Sequence, residues 1–187
     1  HVFVAGKPSN PGRADQRLRD ADVNPNTSGA RAIAASLGLP ASDLNNLGYL
    51  IGEGAIKAMI TLGDVLPMAD ESPLTRIEVI AIAAHERGPV RGAKVALPAA
   101  AWAEVNGSVT NRQGRVQRMH PAFAAPGQAL PGWQAVTKLS QATGGKLAWA
   151  NARELFRDMT AQVSAFAGAS WGREVRPVAL RFAGSRG

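Results

Sequence analysis

No cysteine occurs among the 187 residues. Disulfides, thiolate zinc sites and cysteine-held iron–sulfur clusters are therefore excluded within this stretch of chain. Aromatic residues make up only 5%, too few for a stacking platform of the kind that binds single-stranded nucleic acid. No apolar run approaches the ~20 residues of a membrane-spanning helix. Acidic residues are scarce toward the C-terminus: residues 1–110 hold 10 Lys/Arg against 11 Asp/Glu, whereas residues 111–187 hold 11 against 3. The net charge of +7 thus resides in the last third, which suits an acidic partner or another anionic surface.

Several local signatures are also missing. Gly52-Glu53-Gly54 precedes an apolar run rather than following one, the wrong context for a dinucleotide loop, and there is no Gly-Lys-Ser/Thr phosphate loop. His1, His85 and His120 are far apart, and His85-Glu86 lacks the second histidine of a helical zinc pair. A loop or surface position is the expectation for each. No serine stands in a Gly-x-Ser-x-Gly elbow. The first residue is His1 rather than Met, and the simplest expectation is a piece of a longer polypeptide.

Three short apolar runs are present: Ile56–Leu62, Ile77–Ala83 and Lys94–Leu97. The intervals are too long for hairpins and the runs are near-continuous, as in strands covered on both faces. They predict neighbouring strands of a parallel sheet and an α/β fold. Between residues 64 and 76, Pro67 and Pro73 leave room for only a short or irregular helix. Upstream, Gly6–Thr27 reads as a surface loop. Thr27 or Ser28 is placed to cap a short helix over Ala30–Ser36, and Asn45–Gly54 is either a loop or a broken helix.

Beyond Pro98, Asn106-Gly107 predicts a tight turn with positive φ at both positions. Ser108–Asn111 and Arg115–Arg118 read as extended pieces around a second turn at Gln113-Gly114. The C-terminal region is helical in pattern. Trp133, Val136 and Leu139 recur at helical spacing. Asn151 with Glu154 has the form of a capping box, opening an apolar stripe through Ala152, Leu155, Phe156, Met159, Val163 and Phe166. Val175–Phe182 is a candidate final edge strand. The reading divides the chain into a loop-rich leading segment (1–55), a nucleotide-fold region (56–131) and a helical C-terminal region (132–187).

The run Val95–Ala100, Trp102-Ala103-Glu104, Asn106–Asn111 and Gly114–Gln117, continued by Ala125–Ala129 and Pro131-Gly132-Trp133, resembles the molybdopterin oxidoreductase family. In that family the corresponding block closes a Rossmann-like domain. Upstream, Arg19–Ala30 (RDADVNPNTSGA) and Ala58–Gly63 resemble the large iron–sulfur G subunit of bacterial NADH–quinone oxidoreductase, complex I. Lys94 stands where the family has aspartate, and His85-Glu86-Arg87 replaces a threonine–glutamate–threonine neighbourhood.

The resemblance implies two readings. The first is a structural, non-catalytic region of an NADH–quinone oxidoreductase subunit, in the peripheral electron-transfer arm on the cytoplasmic side of the inner membrane. It would have no cofactor of its own, iron–sulfur clusters elsewhere in the parent, and partners in the other subunits and in preceding domains of the same subunit. The alternative is the cofactor-gripping part of a molybdopterin-dependent oxidoreductase such as a formate dehydrogenase, with Thr110, Asn111 and Arg115 facing the pterin groove. A weaker alternative is a basic nucleic-acid-binding module. From the residues alone, Glu104 is expected to pair with an arginine across the two turns, and Asn111 to hold a turn through an Asx-type bond. Arg112, Arg115 and Arg118 are candidates for interdomain or intersubunit contacts.

Overall fold

The computed structural model describes residues 2–4, 11–15, 24–39, 41–42, 44–64, 66, 68, 71–111 and 113–172. In chain order its strands are β1 (Val2–Phe3), β2 (Ala41–Ser42), β3 (Ala58–Leu62), β4 (Glu78–Ala83), β5 (Val95–Pro98), β6 (Gly107–Thr110) and β7 (Val116–Met119). Its α-helices are α1 (Thr27–Ser36), α2 (Leu47–Gly52), α3 (Gly132–Ala142) and α4 (Ala152–Gln162). The fold is α/β. Most of the loop expected at Gly6–Thr27, the candidate strand Val175–Phe182 and the candidate residue Arg112 lie outside the described residues. No helix among the described residues is long and apolar enough to cross a membrane.

The chain divides into two compact units, one of residues 1–42, 108–118 and 157–187, the other of 43–107 and 119–156. The second unit contains the parallel sheet, in the order β3–β4–β5. Ile60 pairs with Ile80 and Ile80 with Val95; Leu62 pairs with Ile82 and Ile82 with Leu97. Three apolar runs joined by crossover-length intervals thus become three adjacent parallel strands. Among the described residues between β3 and β4 the helix is a 3-10 turn, Ser72–Arg76, with Pro73 in its first turn.

The expectation of strands covered on both faces holds for β4, where Val79, Ala81 and Ile82 are buried, but not for its neighbours. Ile60 and Leu62 of β3 remain 59% and 64% exposed, and Val95 of β5 44%. The reason is position. A central strand has side chains on either flank, whereas in this three-stranded sheet β3 and β5 are edges.

α2 carries Leu47 and Ile51 into the same core beside Leu74, so the ambiguous stretch 45–54 is helical. β5 ends at Pro98, whose carbonyl accepts the Leu130 N–H, while the Ala100 N–H donates to the Leu130 carbonyl. The segment before α3 thereby prolongs the sheet, and α3 begins where a Cβ on Gly132 would sit 2.7 Å from the Leu62 side chain. α4 opens with the expected cap: Asn151 Oδ1 accepts the Glu154 N–H at 3.0 Å. Glu154 reaches back one residue further than a standard capping box, to the Ala150 N–H. Of the stripe on α4, Ala152 and Phe156 are buried in this unit.

In the first unit β1 and β2 pair in parallel. β6 and β7 form a two-stranded sheet whose five-residue connection permits only antiparallel pairing. α1 begins at Thr27, so Asn26 occupies the N-cap position rather than Thr27 or Ser28. α1 contacts the 3-10 turn Ser164–Phe166, and Ala32, Ala34, Val116, Val163 and Phe166 make up the buried apolar set here.

Candidate functional site

Two places in the molecule concentrate polar groups: the hairpin that β6 and β7 make in the first unit, and the carboxyl ends of β3 and β4 in the second.

The hairpin is built from Thr110 outward. Thr110 ends β6 and is 3% exposed. Its backbone N–H donates to Asn26 Oδ1 at 2.8 Å, a bond between residues 84 positions apart. Asn111 follows and organises the turn as the expected Asx-type bond. Its Oδ1 accepts both the Gln113 N–H at 3.0 Å and the Arg115 N–H at 2.9 Å. The backbone closes the same loop, with Asn111 N–H donating to the Arg115 carbonyl and Gly114 N–H to the Asn111 carbonyl. Gly114 has φ 77°, a left-handed position that a side chain would strain. The loop is a small rigid platform with the Asn111 side-chain oxygen at its centre, and Arg115 is exposed on it.

Of the expected site residues, all but Arg112 lie among the described residues. Thr110, Asn111 and Arg115 are together on one hairpin, with the Thr110 side chain turned inward. The Asn111 oxygen is occupied by backbone donors, which leaves its NH2 and the Arg115 guanidinium as outward donors. Arg118 lies on β7 with its guanidinium 4.7 Å from the centre of the Trp171 ring, within cation–π range. Its Nε is enclosed with no hydrogen-bond partner among the described residues. Gln117 is exposed.

Two expectations fail here. Among the described residues Glu104 pairs with no arginine; its Oε2 accepts the Ala101 N–H at 2.8 Å and closes the 3-10 turn Trp102–Glu104. Three residues of separation bring that amide within reach without any long-range docking. Asn106-Gly107 is not a positive-φ turn either, since neither residue has φ above zero. Gly107 instead opens β6 directly. The local dipeptide preference yields because β6 pairs forward with β7 rather than back with β5.

At the sheet, Asp64 follows β3 and His85 follows β4, and His85 Nδ1 is hydrogen-bonded to Asp64 Oδ2. Register explains the meeting: Leu62 pairs with Ile82, so residues just past the two strand ends are neighbours. His85 was expected as a loop or surface histidine and is half exposed. Its partner, 21 positions away, was missed, and the strand register was the signal that could have found it. Lys94 pairs with Glu78 at 2.8 Å at the exposed amino-terminal ends of β4 and β5. Among the described residues no group of three or more His, Cys, Asp or Glu is placed to hold a metal ion.

The donors that the hairpin offers are the Asn111 side-chain amide and the Arg115 guanidinium. Such a set fits an anionic or heteroaromatic edge rather than a metal ion.

Comparison with known proteins adds a family and a set of relatives. The chain is 46% identical over 83 residues to the F420-dependent formate dehydrogenase 2 subunit alpha of Methanococcus maripaludis, covering 43% of this chain and 12% of the relative. It is 28% identical over 121 residues to a nitrate reductase of Klebsiella oxytoca, covering 59% and 14%. It is 35% identical over 83 residues to the formate dehydrogenase 1 subunit alpha of the same Methanococcus, covering 43% and 12%. The matched stretch is thus 12–14% of the length of these relatives. They are formate dehydrogenases and a nitrate reductase, and they back the formate-dehydrogenase alternative better than the complex I subunit placed first above. The profile of one family, described as molybdopterin oxidoreductase, spans residues 4–142, taking in Asn26, the parallel sheet, the hairpin and α3 alike, and with most of its length inside that match the chain belongs to the molybdopterin oxidoreductase family.

Proposed function

We propose that this chain is a cofactor-gripping part of a molybdopterin-dependent oxidoreductase of the formate dehydrogenase or nitrate reductase type, and that its β6–β7 hairpin helps hold the pterin dinucleotide. The observation that carries this reading is the fixed loop at 111–115, in which Asn111 Oδ1 is bonded to two backbone amides while Arg115 stays exposed. The loop sets where the Arg115 side chain starts, and its exposed guanidinium suits bidentate contact with a pyrophosphate. The Asn111 NH2 can donate to a carbonyl or ring nitrogen. Thr110 shapes the site from inside. When bound, the molybdenum–pterin group supplies the two-electron redox change; these residues bind and orient it. Partner subunits follow from the same reading, since the methanococcal relative is itself named as a subunit.

The second reading remains the silent G-type subunit of NADH–quinone oxidoreductase, supported by the Arg19–Ala30 pattern. There Arg112, Arg115 and Arg118 serve interdomain or intersubunit contacts, and iron–sulfur clusters lie elsewhere in the parent.

The test uses the full-length parent protein. Molybdenum and pterin content are measured together with formate- and nitrate-dependent dye turnover, in wild type and in Arg115→Glu. The expected result is bound pterin in the wild type, with clearly reduced retention in Arg115→Glu and unchanged thermal stability. A parent that carries iron–sulfur clusters and no pterin sinks the proposal. So does an Arg115→Glu protein that keeps its pterin but falls off its partner subunits in a salt-sensitive way; that outcome installs the second reading.

A further inference from the structure

We propose that Asn26 and Gly29 are positioning residues: they latch the start of α1 to the end of β6 and thereby set the shape of the 110–115 loop.

Asn26 occupies the N-cap of α1, where its carbonyl accepts the Ala30 N–H at 3.0 Å. An asparagine there ordinarily turns its side-chain oxygen onto the helix's own first amides. Here it makes no such bond. Its Oδ1 accepts the Thr110 N–H instead, at 2.8 Å. The donor is a backbone amide, so the group facing it must be the side-chain oxygen and not the NH2. Helix capping is forgone in favour of a contact 84 positions along the chain.

Gly29 makes that contact possible. A Cβ at position 29 would lie 2.6 Å from Asn26 Oδ1, 2.9 Å from Thr110 Oγ1 and 3.0 Å from Thr110 Cβ. Every one of these is closer than van der Waals contact allows, and they involve both partners of the latch. Only glycine lets α1 approach β6 closely enough for the bond to form. The consequence passes to the loop through one peptide unit. The Thr110 amide is held by Asn26, the next residue is Asn111, and the Asn111 side chain carries the Gln113 and Arg115 amides. Release of the Thr110 amide frees β6's last residue to rotate, and with it the platform that presents Arg115. The latch itself does not depend on the pterin reading; its effect on cofactor retention does.

The experiment measures amide hydrogen exchange in the chain for wild type, Asn26→Ala, Asn26→Asp and Gly29→Ala. Asn26→Asp keeps an oxygen at the accepting position. Asn26→Ala and Gly29→Ala are expected to speed exchange at Thr110, Gln113 and Arg115 by about three- to ten-fold, the range for the loss of one hydrogen bond, while Ala81 and Ile82 in β4 exchange as before. Asn26→Asp is expected to restore the wild-type rates at all three loop amides. Unchanged exchange at Gln113 and Arg115 in Asn26→Ala overturns the proposal, because the contact would then stop at Thr110. If Asn26→Ala loses protection throughout, Asn26→Asp decides: restored loop protection supports the latch, and unrestored protection overturns it. Pterin content of the same variants in the full-length parent separates the two claims. Faster loop exchange with undiminished pterin leaves the latch standing and counts against the cofactor role of the loop.

Discussion

In the unit of residues 43–107 and 119–156, three strands follow one another along the chain and pair in that same order. The unit of 1–42, 108–118 and 157–187 draws its parts from three separated stretches, and its hairpin is tied to α1 by one side-chain bond across 84 positions. The sheet unit depends on area: Val79, Ala81, Ile82, Leu47 and Ile51 are all within 4% of full burial, and apolar burial is non-directional and tolerant of small shifts. The hairpin unit depends on direction, since an amide, an oxygen and the absence of a Cβ must coincide. A unit of the first kind is robust and chemically quiet. One of the second kind is easily disturbed by a single substitution, and it is the one that carries the exposed Arg115.

The sharpest way to break this comparison is to cut into each core by the same amount. Phe156, 5% exposed, belongs to the sheet unit, and Phe166, 2% exposed, to the hairpin unit. Each Phe→Ala change is expected to cost about 3–5 kcal/mol, read from urea midpoints. Amide exchange then shows where the loss falls. Phe166→Ala should unprotect the hairpin while β3–β5 stay protected. Equal loss in both units would show one cooperative body and end the distinction.

A smaller effect sharpens it. Asn111→Ala removes the acceptor for two backbone amides and is expected to cost about 1–3 kcal/mol, with the change confined to the hairpin unit. An unchanged thermal midpoint together with unchanged exchange at Gln113 would mean that the backbone bonds alone hold the loop. The smallest effect is expected at the amino-terminal ends of β4 and β5. Lys94 and Glu78 pair at 2.8 Å with side chains 70% and 60% exposed, so Lys94→Ala should shift stability by less than about 0.5 kcal/mol. A larger loss would mean that the β4–β5 pairing begins on charge and not on backbone bonds alone.

Much of the sheet unit was legible from residue types. Runs such as Ile77–Ala83 announce a buried strand because burial selects apolar side chains on both faces, and the prolines at 67 and 73 rule out a full helix between strands. The Asn151–Glu154 cap was legible because its partners lie three residues apart. The Asx-type bond of Asn111 was legible for the same reason. The exposure of Ile60, Leu62 and Val95 was not, since strand rank in a sheet is a property of neighbours. The Asp64–His85 pair was not, because it needs the β3–β4 register. Asn106-Gly107 misled, since a turn preference of a dipeptide is weak beside the pairing of the strand that it opens. Glu104 took a backbone amide three residues away, and among the described residues it pairs with no arginine.

By itself, then, the sequence determined the α/β class, the three parallel strands, the two C-terminal helices, the Asx-type bond of Asn111 and membership of an oxidoreductase family. The structural features among these rest on periodicity, burial preference and contacts within a few residues, all of which are written locally, and the family on a resemblance of motifs. Only the tertiary structure decided that Asn26 leaves its helix cap for Thr110, that Gly29 must lack a side chain, that Thr110 points inward and that Arg115 is left outside. Each of those depends on the distance between segments far apart in the chain, and such distances exist only once the chain has folded and its directional bonds have been satisfied.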